Sequence, residues 1–250
     1  MRYITILFLC FTINSSAQVV NIETLRKASD STKWIGSVSL NMSLIKNKND
    51  IFRITNRVFI QFNDQSNLWL FLNDLNIQKT EDNDLVNRGI QHLRSNRRIT
   101  NCIKWEAFGQ VQYDAISEVD FRGLLGTGIR IKLSVNEHYR FYLGTSVMYE
   151  HEKASNAVIE HIQNDLRGSG YFSFTIYPTT YIRIISTNYY QPKLKQFSDY
   201  RLSNNTSVLF EIYKKLAFKA NFNYNYDAVP VSPSIPKTQY ELTNGLLYSF

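Results

Sequence analysis

The stretch Glu118–Leu133, EVDFRGLLGTGIRIKL, decides the fold, because its side chains alternate between two chemical classes. One set is apolar and comprises Val119, Phe121, Leu125, Ile129, Ile131 and Leu133. The opposite set is polar or small and comprises Asp120, Arg122, Gly126, Gly128, Arg130 and Lys132. Successive side chains of a β-strand point to opposite faces of the sheet, so this period of two predicts a strand with one apolar and one polar face.

The same alternation recurs along most of the chain and predicts an all-β, antiparallel barrel of about twelve strands. The clearest further segments are Trp34–Ile45, Ile51–Phe62, Tyr139–Glu150, Gly168–Tyr177 and Leu216–Tyr226. Two stretches leave their register open. Leu68–Leu72 is apolar on both faces, and Gly89–Cys102 has no face that resembles a lipid-facing one.

Composition excludes several classes of protein. No run of about 18 apolar residues exists, so we expect no transmembrane helix. The chain has 2 Cys, and Cys10 lies in the apolar N-terminal run, so neither a disulfide scaffold nor a cysteine zinc site is expected. The formal charge of +7 is spread along the chain without a nucleic-acid motif, so we expect no nucleic acid as a partner.

The N-terminus has the features of a secretory signal peptide. A positive start, Met1-Arg2, precedes the apolar run Tyr3–Ile13, and small residues follow up to Ala17. We therefore predict a cleaved signal peptide over residues 1–17, a periplasmic N-terminal lead over 18–32 and a β-barrel over 33–250.

The C-terminus and the connections favour a membrane barrel over a soluble periplasmic one, which stays the alternative. The final residues Tyr248 and Phe250 continue an alternating apolar face, which resembles the signal read by the outer-membrane barrel-assembly machinery. Every second connection is predicted to be a long outside loop, as membrane barrels show. These loops are Lys79–Arg88, His151–Asp165, Gln191–Tyr200 and Asp227–Lys237. An even strand count then places both termini in the periplasm.

Several segments resemble one family. They are LVNRGIQHLR (Leu85–Arg94), WEAFGQVQY (Trp105–Tyr113), RGLLGTGIR (Arg122–Arg130), YLGTSVMYEHE (Tyr142–Glu152) and YYQPKLKQFSDYRL (Tyr189–Leu202). The chain resembles the salt-induced outer-membrane proteins, catalogued as domain-of-unknown-function family 481. The resemblance implies a β-barrel in the outer membrane of a Gram-negative bacterium, with outer-membrane lipid as its surroundings. It implies no reaction and supplies no catalytic residues.

The polar face is where function is expected. It is predicted to turn the following residues to the lumen: Arg53, Arg57, Lys104, Glu106, Gln110, Arg122, Arg130, Arg140, Glu150, Arg167 and Glu211. Arg201 and Lys219 belong to the same face. Basic side chains outnumber acidic ones, which favours anions in an open lumen. Two interpretations stay open: a narrow pore or binding barrel for small polar or anionic solutes, and a closed, stress-related barrel with an ion-paired interior.

Enzymatic motifs are missing from the sequence. A lipid hydrolase or acyltransferase acting at the membrane rim is a further alternative, but there is no Gly-x-Ser-x-Gly motif. His92 is interpreted as part of a lumenal hydrogen-bond network. His151, Glu152, Glu160 and His161 flank a predicted loop, and their spacing matches no metal motif. We expect neither enzymatic activity nor a metal or cofactor, and the sequence does not indicate the oligomeric state.

Overall fold

The computed structural model describes residues 33–46, 50–64, 66–80, 84–115, 117–155, 160–213, 216–230 and 235–248. They form twelve strands: β1 Trp34–Lys46, β2 Asp50–Asn63, β3 Asn67–Thr80, β4 Asp84–Arg98, β5 Ile103–Asp114, β6 Val119–Val135, β7 Tyr139–Ser155, β8 Glu160–Thr179, β9 Ile182–Lys193, β10 Gln196–Tyr213, β11 Leu216–Asp227 and β12 Thr238–Tyr248. The predicted signal peptide and N-terminal lead lie outside the described residues.

The strands form one sheet in which each strand pairs antiparallel with its neighbour in sequence. The order runs from β1 to β12 without a crossover. This arrangement confirms the predicted all-β fold of twelve antiparallel strands. It follows directly from the sequence pattern, because short connections between alternating segments favour pairing of consecutive strands.

The sheet curls around its polar face, so that side chains from distant strands meet. The Tyr171 hydroxyl on β8 donates a hydrogen bond to Glu106 on β5 at 2.9 Å. Arg201 on β10 donates to Glu150 on β7 at 2.7 Å. Each of these contacts joins strands three apart in the sheet order, so the sheet is curled with its polar face inside.

The outer wall is apolar and exposed. On β1 the outward side chains include Val38, Leu40, Met42 and Leu44, each at least 67% exposed. A soluble barrel buries its apolar face, whereas a membrane barrel turns it outward to lipid, so this inversion is typical of a transmembrane barrel. No helix among the described residues is long and apolar enough to cross a membrane.

Aromatic side chains cluster near both ends of the outer wall. At the end where β1 begins and β12 ends, the termini end, the Trp34 and Phe62 rings lie 4.5 Å apart between centroids. At the opposite end, the far end, the Tyr200 ring lies 5.7 Å from the rings of Tyr190 and Tyr226. Aromatic girdles at the two interfaces flank the apolar band of membrane barrels.

Three of the four predicted long loops at the far end are wrong. The structure continues strands through them, so that β3 reaches Thr80 and β7 reaches Ser155, while β9 and β10 are separated only by residues 194–195. The polar residues that suggested loops, such as Glu152 and Asp165, are instead buried lumenal side chains in strands. The fourth predicted loop agrees with the strand bounds, since β11 ends at Asp227 and β12 begins at Thr238.

The turn between β2 and β3 is held by Asp64. Its carboxylate accepts hydrogen bonds from the backbone and side-chain amides of Asn67, at 2.7 and 3.1 Å. These bonds stabilise the charged form and hold the pKa of the Asp64 carboxyl below its usual range. Such an Asp at the first position is typical of tight turns.

The structure assigns the registers that the sequence leaves open. Leu68, Leu70 and Leu72 turn inward and pack with Phe59 in a small apolar cluster inside the barrel. A register shift between Val119 and Phe121 turns Val119 inward, so its predicted outward position is wrong. A β-bulge of this kind moves one residue to the other face.

Candidate functional site

The lumen has a filled side and an open side. The strand register places all eleven residues predicted to face the lumen on the polar face. Six of them are buried: Glu106, Gln110, Arg122, Arg130, Glu150 and Arg167. Lys104 and Arg140 are half-buried, and Arg53, Arg57 and Glu211 are exposed. The buried residues lie on β5–β8 and the exposed ones on β2 and β10.

Glu150 is the centre of the filled side at the far end. Three guanidinium groups surround its carboxylate: Arg201 at 2.7 Å, Arg167 at 3.1 Å and Arg122 at 3.6 Å. The Glu150 and Arg167 side chains are 4% and 1% exposed, so bulk water screens this group of charges only weakly.

Further carboxylates complete this arrangement, which we call the arginine network. Arg122 and Arg201 both contact Glu152. Arg201 pairs with Asp227 at 2.9 Å, and Arg167 pairs with Asp199 at 3.0 Å. The network comprises Arg122, Glu150, Glu152, Arg167, Asp199, Arg201 and Asp227. It holds β6, β7, β8, β10 and β11 together across the lumen, and its carboxylates offset its guanidinium charges.

A second buried cluster, nearer the termini end, surrounds Glu106. The carboxylate accepts hydrogen bonds from the Asn96 amide at 2.6 Å and from Tyr171, and Arg94 lies 3.7 Å away. Arg130 donates to the Tyr171 hydroxyl at 3.3 Å. These contacts fill the lumen between β4 and β8.

His92 lies beside this cluster and belongs to a hydrogen-bond network, as the sequence suggested. Its Nδ1 lies 2.9 Å from Oε1 of Gln110, and its ring stacks on Phe108. Among the described residues, no group of three His, Cys, Asp or Glu side chains has an arrangement that could hold a metal ion. His151 and Glu152 turn to opposite faces of β7, because they are consecutive residues of a strand.

The open side of the lumen is lined by β1, β2 and the halves of β9–β12 nearest the termini end. Inward residues of β1, including Ser37, Ser39 and Asn41, are exposed. This side also carries three basic side chains, which we call the cationic trio: Arg57 on β2, Arg183 on β9 and Lys219 on β11. Arg57 is 59% exposed although it pairs with Asp74, and Arg183 and Lys219 are exposed as well.

The cationic trio has an excess of positive charge. Arg183 and Lys219 face the same residue, Leu209, from either side of β10. Lys219 interacts electrostatically with Arg57 and Arg183. Within the part of the chain that the structure describes, neither Arg183 nor Lys219 has a carboxylate partner. An anion that enters this side would therefore meet unneutralised basic groups.

Sequence reasoning placed Arg57 and Lys219 on the polar face but missed Arg183. The signal was present, because Ile182 and Ile184 flank Arg183 in the alternating pattern of β9. What the sequence cannot show is that β2, β9 and β11 bring these three charges together. Of the proposed assembly signal, Tyr248 is the last residue of β12, and Phe250 lies outside the described residues.

The family model described as "Protein of unknown function, DUF481" matches residues 29–250. The chain belongs to this family. The match confirms the family that the sequence segments indicated, and the salt-induced description stays a prediction. The DUF481 match spans every strand from β1 to β12.

The curated proteins and the solved structures assign no function to this DUF481 chain. A search of curated proteins found no match. Among solved structures, the chain is similar to one titled "NanC porin structure in rhombohedral crystal form". The TM-score is 0.48 and the identity 7%, over 79% of this chain and 94% of that chain. A likeness of this size carries no argument about function.

Proposed function

We propose that this protein is an outer-membrane β-barrel that passes small polar solutes, with a preference for anions, along the open side of its lumen. The cationic trio carries the proposal, because it places positive charge on the water-accessible wall. Walls of low dielectric constant focus the field of such charges into the lumen. Rings or patches of basic side chains select anions in pores by this mechanism.

The filled side supports a narrow path. The Glu106 cluster occupies the lumen along β4–β8 and the arginine network occupies its far end, so the space left to a solute lies along β1, β2 and the halves of β9–β12 nearest the termini end. Carboxylates on that side weaken the anion preference, since the exposed Glu211 and the half-buried Glu241 also lie on the lumenal face. We therefore expect moderate rather than strict anion selectivity.

The proposed location is the outer membrane of a Gram-negative bacterium, reached with a cleaved signal peptide. The exposed apolar wall supports contact with outer-membrane lipid. The pairing of twelve strands puts the start of β1 and the end of β12 at the same end, which we propose to be periplasmic. Barrel-assembly machinery is the proposed partner during insertion, with Tyr248 and Phe250 in its signal.

A closed structural barrel is the second candidate. The observation that favours it is the arginine network, because paired buried charges fill the lumen at the far end. We propose no reaction and no cofactor for either candidate.

The test is conductance of the refolded full-length protein in a planar bilayer under a KCl gradient. We expect discrete steps and a reversal potential on the anion-selective side. Charge reversal in the double variant Arg183→Glu/Lys219→Glu should move the reversal potential towards cation selectivity, because the charge in the open side changes sign.

The matched control is Arg97→Glu, which makes the same kind of charge change on the outer face of β4. It should leave the reversal potential unchanged. Folding of every protein is checked by its heat-modifiable migration on a gel. Silence of a correctly folded protein would favour the closed barrel. If the double variant conducts with the same reversal potential as the wild type, the cationic trio does not line the conducting path.

A further inference from the structure

Three amide side chains join into a row on the outer wall. The Nε2 of Gln91 on β4 donates to Oδ1 of Asn73 on β3, at 3.4 Å. The Nδ2 of Asn73 donates in turn to Oδ1 of Asn56 on β2, at 2.8 Å. We call these three residues the amide ladder.

The amide ladder lies inside the apolar belt and not at its edge. Leu40 on β1 is directly opposite Asn56. On one side of the ladder the outward neighbours along the strands are Val58, Phe71 and Leu93, and on the other they are Ile54 and Leu75. Lipid tails offer no hydrogen bonds, so polar groups that face them are costly and tend to have a function.

At each end of the ladder one polar group is without a hydrogen-bond partner among the described residues: a donor at one end and an acceptor at the other. Nδ2 of Asn56 and Oε1 of Gln91 have no hydrogen-bond partner within the described residues. The ladder therefore has a direction around the barrel, from an unused donor on β2 to an unused acceptor on β4. Asn73 is its midpoint.

We propose that the amide ladder is the contact between two copies of this chain in the membrane. Both copies insert the same way up, so a two-fold axis between them runs along the membrane normal. On the facing walls of such a pair the two ladders run in opposite directions. Asn56 of each copy then meets Gln91 of the other, which supplies the missing partner at both ends, while the two Asn73 side chains meet at the axis.

This pairing explains a feature that a lone barrel in lipid does not. As a monomer, the protein would keep the unused amide groups of Asn56 and Gln91 in hydrocarbon. In the dimer those groups are satisfied, and the apolar side chains beside them, such as Leu40, Val58 and Phe71, surround the contact. The inference depends only on the outer wall facing lipid and does not require the lumen to conduct.

The experiment is cysteine cross-linking of the full-length protein reconstituted in lipid vesicles. Cys102 is the free cysteine of the described residues and is exposed, so Cys102→Ser serves as the background. Phe71→Cys should cross-link to itself with a short bismaleimide, since Phe71 lies next to Asn73 on the outer face of β3 and its replacement leaves the amide ladder intact. The control is Val208→Cys on the outer wall of β10, which is 36% exposed and should stay monomeric.

Two further measurements fix the geometry. A mixture of Val58→Cys and Leu93→Cys proteins should give more cross-linked dimer than either variant alone, because these residues lie next to Asn56 and Gln91 and the ladders are antiparallel. Asn73→Leu should raise the dissociation constant of the dimer about tenfold, since it removes the hydrogen bonds on which the ladder depends. Sedimentation in micelles measures this constant. Cross-linking of Phe71→Cys no greater than that of Val208→Cys would overturn the proposal. So would an Asn73→Leu variant that dimerises as the wild type does.

Discussion

At the scale of single residues, Glu150 is the side chain on which the filled side of the lumen depends most. Its carboxylate lies between Arg122, Arg167 and Arg201. Taking a charge out of water is costly, and removal of one partner leaves the others buried and less well paired. The pairing itself need not add net stability, but its disruption does remove stability.

The variant Glu150→Gln should therefore lower the free energy of unfolding by about 3–5 kcal/mol, as is usual when a buried ion pair loses one member. Urea titration of the protein in lipid vesicles, followed by tryptophan fluorescence, measures the change. The matched control is Asp74→Asn, whose partner Arg57 is 59% exposed. That variant should lose less than about 1 kcal/mol, because water screens the pair. Equal losses in the two variants would contradict the role given to burial.

At the scale of elements, glycines let side chains cross between strands. Gly144 on β7 lies directly beneath the ring of Tyr171, its register partner on β8. A Cβ at this position would collide with that ring. Because Gly144 has no side chain, the Tyr171 ring can lie flat across β7 and reach Glu106 on β5. The role of Gly144 is therefore to make room for this ring.

We expect Gly144→Ala to lower the free energy of unfolding by about 1–3 kcal/mol, the usual cost of overpacking. Gly170→Ala is the control, because a Cβ there meets nothing within 4 Å. Denaturant unfolding measures both. A second comparison uses Tyr171→Phe, which lacks the hydroxyl. If Gly144→Ala displaces the ring, the hydroxyl bond is already lost in that variant. The double variant should then lose less free energy of unfolding than the two single variants lose together. Strict additivity would contradict the link between Gly144 and the Tyr171 hydroxyl.

Some strands could be predicted from the residue pattern and others could not. The strands of Glu118–Leu133 and Trp34–Ile45 follow from their alternation. In Gln191–Tyr200 the polar residues suggested a loop, although Gln191 and Asp199 are buried in strands. A buried lumenal side chain and a solvated loop residue are both polar, so composition does not separate them. The long β7–β8 hairpin was hidden for the same reason.

At the scale of the whole molecule, the barrel has an apolar outside and a polar inside. Because of this inversion, an arginine should be tolerated differently by two neighbouring residues of one strand. Leu40 in the middle of β1 faces outward, and Ser39 faces the open side of the lumen. Leu40→Arg should lose about 2–4 kcal/mol in a bilayer, the cost of an arginine at mid-depth on the lipid face. Ser39→Arg, the matched control, should change stability by less than about 0.5 kcal/mol.

The measurement is reversible folding into lipid vesicles of the two variants beside the wild type. A larger loss for Ser39→Arg than for Leu40→Arg would reverse the assigned faces of β1. The faces themselves could be predicted from sequence, because alternation fixes them relative to one another and the predicted signal peptide favours export. The division of the lumen into filled and open sides could not, since it depends on contacts such as Arg201 with Glu150, between strands three apart.

The arginine network also bears on how the barrel is completed. Its members come from β6, β7, β8, β10 and β11, and Glu150 gains its contact with Arg201 only when β10 is in place. A partly built barrel that lacks β10 or β11 therefore contains carboxylates and guanidiniums without their full set of partners, and water must stay in the lumen to solvate them. The filled side dries only when the last partners arrive. The network is therefore stable only once β10 and β11 are in place, and it distinguishes a barrel that contains these strands from one that stopped before them.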